Sequence, residues 1–256
     1  MEIYYLIIFF ILGTVLGSFY NVVGFRLPKE ESIIHPKHSY CPNCKHQLGV
    51  LELIPVFSFL FQGGRCKHCK KPISIFYPFI ELLTGTLFAV CYYSYRFSPD
   101  LIIALTLVSL FSIVIVSDLN YLIIPDEITL ISILVIAGAI LYRDGFDGMI
   151  TALGNGVLLF GIMYCLMLLG DFLFKKESLG GADIKLMFVS GMALGPLLGV
   201  VVIFISSVVA LPVSILLYTV NKEKLIPFGP FIVFAILFLF FLKVDVLRIL
   251  EFILAK

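Results

Sequence analysis

Long apolar runs separated by short polar segments dominate this chain. A helix that crosses a bilayer needs about 20 mostly apolar residues. Eight stretches approach that length: Ile3–Phe25, Phe76–Tyr95, Leu101–Ser117, Ile128–Leu141, Met149–Phe174, Ile184–Leu194, Pro196–Val220 and Leu225–Leu242. The fourth is short unless Leu122–Pro125 extends it, and the sixth is short on any reading, so the count is about eight. The pattern predicts an all-α polytopic membrane protein. Composition agrees, with 61% hydrophobic and 14% charged residues among 256 and a mean hydropathy of +1.09; soluble domains are about half apolar and a quarter charged. The first run has Glu2 in place of a basic n-region, lacks a clear small-residue cleavage site, and is too long for a signal core. It reads as a retained helix.

The net charge of +1 says little about partners, and no nucleic-acid partner is expected. The distribution of charge says more. The polar segment between the first two helices carries Arg26, Lys29, Lys37, Lys45, Arg65, Lys67, Lys70 and Lys71, eight of the 18 basic residues. Lys175, Lys176 and Lys185 flank a second gap, and Lys222 and Lys224 a third, while the alternate loops hold only Arg96 and Arg143. The positive-inside rule then places these three gaps in the cytosol and the N-terminus outside. Lys243, Arg248 and Lys256 weakly oppose this, but the pattern Val244, Leu247, Leu250, Ile253, Leu254 suits an amphipathic helix lying in the interface.

The polar segment has its own chemistry. Cys41 and Cys44 form one CxxC and Cys66 and Cys69 another, with 21 residues between them. Two such knuckles resemble a tetrahedral structural zinc site, one residue outside the usual linker range. A loop of about fifty residues builds little core, so a metal staple gives it a reason to fold. The alternative is disulfides or free thiols, and a reducing compartment disfavours disulfides. His46 and His68 are further candidate ligands beside four cysteines that already fill a closed site, and Cys91 and Cys165 read as packing residues within spans. Between the knuckles, LGVLELIPVFSFLFQGG is too short to span and is broken by Pro55, which suits an interfacial or re-entrant segment.

Two aspartates stand at the ends of apolar runs, Asp118 in SDLNYLIIPD and Asp183 in LGGADIKLM. An ionisable group at such a depth is a functional candidate because desolvating it is costly. With eight spans and the N-terminus outside, both fall at the cytosolic face. Two like charges within a few ångströms cannot both ionise cheaply, so such a pair shares one proton and can serve as base and acid. Asp126 is a rival to Asp118 on chemistry alone, although it also suits the first turn of the following helix together with Glu127. Asp171 reads as an interfacial charge, and Asp100, Asp144 and Asp147 fall on the outer side.

Seven strings in order, GSFYNVVGFRLP, CPNC…CKHC, IPVFSFLFQGGRC, YPFIELLTG, DLNYLIIPD, GGADIKL and IPFGP, resemble the signatures of bacterial prepilin peptidases, the type IV leader peptidases and N-methyltransferases. The resemblance covers essentially the whole chain. It implies an intramembrane aspartic protease of the GxGD type, with Asp118 and Asp183 as the catalytic pair. Such an enzyme cleaves prepilin or pseudopilin leader peptides after a glycine at the cytosolic face of the inner membrane. It then methylates the new N-terminal residue with S-adenosylmethionine. Ala182 stands where the family has its second glycine. The implied organisation is a first helix (1–25), a cytosolic zinc-binding loop with the methyltransferase function (26–75) and a membrane protease core (76–256).

Without a GxGxxG loop or βαβ alternation, the donor site rests on the resemblance alone, which points to Gly64 and Arg65. Asn21 either bonds a neighbouring helix or lines the substrate path. Glu81 suits a buried ion pair with Lys185 or the loop cations, and Lys185 itself either tunes Asp183 or reaches to headgroups. Gly13 and Gly17 suit close helix packing. An ion-coupled transporter and a zinc-stapled scaffold are the competing classes; the first is disfavoured because both carboxylates lie at one face.

Overall fold

The computed structural model describes residues 2–35, 38–175, 180–221 and 227–243. Among these the chain is helical, in the order α1 (Glu2–Arg26), α2 (Phe57–Phe61), α3 (Phe76–Tyr95), α4 (Pro99–Tyr121), α5 (Asp126–Phe174), α6 (Gly181–Leu194), α7 (Pro196–Asn221) and α8 (Gly229–Leu242). Within them, five helical stretches are long and apolar enough to cross a membrane: Glu2–Lys29, Phe76–Tyr95, Pro99–Tyr121, Asp126–Leu173 and Pro196–Leu216. The segment expected to be amphipathic after Lys243 lies outside the described residues, as do Lys37, Lys176, Lys222 and Lys224.

The chain reverses inside α5. Gly145 has φ 75° and ψ −170°, a backbone region open in practice only to glycine. A straight helix would separate Asp126 from Asn155 by about 44 Å. Yet α6 touches both, through Lys185 paired with Asp126 and Gly191 against the Asn155 carbonyl. These two α6 residues are about 9 Å apart along their axis, so α5 must fold back at Gly145. One residue therefore does what was expected of a short loop between Leu141 and Met149. Gly195, at φ 79° and ψ 175°, makes the same reversal between α6 and α7.

Small residues bring α1 onto its partners. A Cβ on Gly13 would lie 2.8 Å from the Gly85 Cα, one on Gly17 3.0 Å from the Glu81 Cα, and one on Gly24 2.6 Å from the Val116 Cβ. The expected glycine spacing is thus the seam on which α1 packs against α3 and α4. Hydroxyls tie the same helices, Tyr20 to Ser109 at 2.7 Å and Thr84 to Ser112 at 2.8 Å. α4 is the central element, buried along its length from Leu101 to Asp118.

The two ends of the bundle differ. At one end Arg96 pairs with Glu2 and Arg143 with Asp100 and Asp144. At the other, Lys29 lies over the Tyr121 ring at 5.2 Å and Lys185 pairs with Asp126. The cysteine-bearing loop and the C-terminal end of α4 therefore share one end of the molecule.

Because no atom lies within 4 Å of a Cβ built at Gly145 or Gly138, substitution there isolates backbone strain. Gly145→Val is expected to lower stability by about 1–3 kcal/mol. Gly138→Ala, at a helical position, should be neutral or raise it by up to about 1 kcal/mol. Thermal unfolding of the purified protein in detergent checks the pair.

Candidate active site

α4 ends just past Asp118. Leu122 adopts φ 55° and its N–H bonds the Asp118 carbonyl at 2.9 Å, closing the helix. This leaves the Asp118 side chain at the C-terminal end of a helix, where the macrodipole opposes a negative charge. The opposition is met by α8. Its first residue, Gly229, donates its N–H to Asp118 Oδ2 at 3.0 Å, turning the electropositive N-terminus of one helix onto the C-terminal carboxylate of another. Asp118 is only 6% exposed. A side chain at Gly229 would not fit, since its Cβ would stand 2.6 Å from Ile124 Cδ1, 3.0 Å from Asp118 Oδ2 and 3.1 Å from Val114 Cγ1.

Asp183 occupies the first turn of α6, where a helix N-terminus favours a carboxylate. Its N–H bonds the Gly180 carbonyl at 3.0 Å, and a Cβ on Gly180 would come 3.1 Å from Asp183 Oδ2. α8 packs against both α4 and α6, the helices that carry Asp118 and Asp183. Ala182 lies in the helical first turn and is absent from the residues with positive φ. Alanine there needs no special backbone.

The structure gives Asp126 a partner of its own. Asp126 opens α5 and pairs with Lys185, so Lys185 neither reaches to Glu81 nor stands free. Glu81 instead takes the Val56 N–H on Oε2 at 2.7 Å. The expected Glu81–Lys185 ion pair is therefore not formed. What Glu81 does hold is strained: Val56 has φ 62° and ψ −53°, with the Phe57 N–H bonded to the Pro55 carbonyl at 2.6 Å. A γ-turn of this hand on a β-branched residue costs about 1–3 kcal/mol and persists only where neighbours over-determine it.

The four cysteines of the two CxxC motifs converge, with all sulfurs within 4.8 Å of one another. Cys41 Sγ is 3.9 Å from Cys69 Sγ and Cys44 Sγ 4.0 Å from Cys66 Sγ. A tetrahedral zinc with bonds of about 2.3 Å sets sulfurs about 3.8 Å apart, so the cluster fits. None of the four is in a disulfide. The knuckles repeat each other. In the first, Cys41 N–H bonds the His46 carbonyl and Lys45 N–H the Cys41 carbonyl; in the second, Cys66 bonds Lys71 and Lys70 bonds Cys66, all at 2.9 Å. Lys45 and Lys70 share φ values of 58° and 59°. The N–H groups of Cys69 and then His68 hold the Cys66 thiol down to about 7. For Cys44 the His46 N–H acts the same way, but desolvation and the three neighbouring thiols prevail and push it up to about 11. Four thiolates at one point need a cation to ionise together. The His46 and His68 rings lie against one another, tilted by 33° with centroids 3.4 Å apart.

A cavity of about 310 Å³ lies between this loop and the α1–α3 pair. Asn21, Glu81 and Glu52 line it, a set whose joint role no local sequence signal revealed. Gly64 stands behind its wall, with φ 67° and the Phe59 ring 3.1 Å from where a Cβ would be, while Arg65 is exposed and bridges to Pro72. The structure brings neither Gly64 nor Arg65 into the cavity lining.

Residues 11–95 match the model of the bacterial peptidase A24 N-terminal domain, and residues 105–215 that of the type IV leader peptidase family. A prepilin leader peptidase/N-methyltransferase of Bacillus subtilis is 35% identical over 228 residues, 87% of this chain and 88% of the relative. The chain belongs to the type IV leader peptidase family. A relative of the same description from Neisseria gonorrhoeae is 32% identical over 86% of this chain and 84% of its own length. One from Vibrio cholerae is 28% identical over 94% and 98%. No solved structure matches.

Two outcomes follow from these geometries. Gly229→Ala removes the fit of the α8 terminus around Asp118. Since a hydrogen bond to a charged group is worth about 1.5–3 kcal/mol, proteolytic activity should fall roughly ten- to a hundredfold in folded protein, measured as initial rate. Purified protein should also carry one zinc per chain by elemental analysis. Cys44→Ser or acidification should release it, because protonation of thiolates competes with the metal.

Proposed function

We propose that this family member is a multi-pass inner-membrane enzyme of about eight transmembrane helices, with α5 contributing two passes and the N-terminus outside. It cleaves the leader of prepilins or pseudopilins at the cytosolic face and methylates the new N-terminus with S-adenosylmethionine as donor. The observation that supports the proteolytic reading is that Asp118 ends α4 and Asp183 opens α6, with α8 packed on both helices and its Gly229 N–H on Asp118. Membership of the family and the description of the relatives support the pairing of two activities.

In this reading the pair shares one proton. The ionised member draws a proton from a water, which attacks the scissile carbonyl, while the protonated member hydrogen-bonds that carbonyl oxygen and then supplies the leaving amine. The Gly229 N–H orients Asp118 within this exchange. Neither step needs a covalent intermediate. Cys41, Cys44, Cys66 and Cys69 hold a structural zinc, which supplies the loop with the rigidity its small core lacks. Residues 26–75 thus form a metal-stapled cytosolic unit between a first helix and a protease core over 76–256. Gly64, by leaving room for Phe59, shapes the wall of the donor region, and Arg65 marks its outer edge.

Asp118→Asn and Asp183→Asn should each lower cleavage of a co-expressed prepilin by at least about a hundredfold, with normal membrane insertion. Asp126→Asn, which removes only the pairing with Lys185, should still process substrate. Mass spectrometry of the substrate N-terminus reads cleavage position and methylation together. Maturation that persists in either of the first two variants sinks the dyad. The rate should pass through a maximum with pH, since both fully protonated and fully ionised pairs are inactive.

A further inference from the structure

The cavity beneath the cysteine loop holds buried acceptors without donors. Asn21 is 3% exposed, and its Nδ2 donates to the Tyr77 carbonyl at 3.3 Å. That bond fixes the amide, and Oδ1 is left buried without a partner. Buried acceptors are rarely left so, because stripping them of water without a donor is unfavourable. A second acceptor in the same cavity, Glu52 Oε1, is also buried and unpartnered, while its Oε2 takes the Gly49 N–H at 2.8 Å. Glu81, 8% exposed, adds a further carboxylate. Of the basic residues lining the cavity, Arg26 bonds the carbonyls of Ser32 and Ile33 and lies over the Tyr40 ring at 5.9 Å, and Lys29 lies over the Tyr121 ring. Rings of Phe59, Tyr40 and Tyr77 complete the walls, and aromatic faces suit both a cation and a stacked base.

The cavity wall also touches the end of α4 that carries Asp118. Phe25, on its wall, is 5.3 Å from the Tyr77 ring and 6.3 Å from the Tyr121 ring, centroid to centroid. Tyr121 is three residues beyond Asp118 on α4.

We propose that Asn21 Oδ1 anchors the α-ammonium of the cleaved peptide in this cavity, so that methyl transfer occurs between the membrane helices α1 and α3 and the loop rather than on the loop's outer surface. This rests on the methyltransferase reading above. The peptide ammonium gives one proton to the free oxygen of Glu52 and becomes a neutral amine. Its nitrogen then bonds the methyl carbon of S-adenosylmethionine as the carbon–sulfur bond breaks, the electron pair leaving on sulfur. The product is a methylated ammonium still held by Asn21 and a neutral thioether. Asn21 is a positioning residue for the amine and takes no proton.

The test uses the purified full chain in detergent and two phenylalanyl peptides that differ only in a free or an acetylated α-amine. By titration calorimetry the free-amine peptide should bind at least tenfold more tightly, and Asn21→Leu should erase that difference while S-adenosylhomocysteine still binds. In cells, Asn21→Leu should lower the methylated fraction of mature N-termini at least tenfold, and Asn21→Asp, which keeps an acceptor, should restore most of it. Equal affinity of the wild type for the two peptides overturns the proposal, and needs no variant to fold. So does an undiminished methylated fraction in Asn21→Leu. If the wild type itself neither cuts nor methylates, the reading of function fails instead.

Discussion

The contact between the Gly229 N–H and Asp118 Oδ2, 3.0 Å long, condenses the constraint under which this molecule is built. An apolar bundle offers a carboxylate almost no donors, because helical backbone groups bond within their own helix. Only helix ends have N–H groups to spare. The chain therefore sets its two aspartates at helix ends and turns the start of α8 toward the end of α4. Asp183 exploits the N-terminus of its own helix, while Asp118, at a C-terminus, borrows one from α8. Ile124, Val114 and Asp118 surround Gly229 so closely that only glycine fits.

The loop at the same end solves a different problem. It is too small to fold on apolar burial, and Leu51, Phe57, Leu60 and Phe61 are all exposed. Two superimposable knuckles converge four thiols instead, and a strained turn at Val56 is clamped by Glu81 from the membrane helix α3. One carboxylate thus ties the loop to the bundle and leaves a cavity between them. The wall of that cavity touches the end of α4 through Phe25 and Tyr121.

Much of the helical framework was legible because apolar runs are local: α1, α3, α4 and α7 follow the expected boundaries within a few residues. The glycine seam on α1 and the metal-like cysteine spacing were legible for the same reason, since each is a pattern within one short segment. The partners of charged residues were not. Lys185 was expected to tune Asp183 or reach to headgroups, with Glu81 as a further possible partner, and pairs with Asp126, 59 residues away in sequence. Glu81 was expected to find a cation and bonds a backbone amide created by an unusual turn.

By itself the sequence determined which segments are helices, which carboxylates lie at their ends and which cysteines can meet a metal, because hydropathy, helix length and CxxC spacing act over a few residues. Tertiary structure decided that Gly145 folds α5 back in a single residue, that Gly229 serves Asp118 from 111 residues away, and that Asn21 Oδ1 is left without a donor in a cavity. Those outcomes depend on which helices lie side by side. That arrangement is set by the summed packing of many small and apolar residues, and no single motif encodes it.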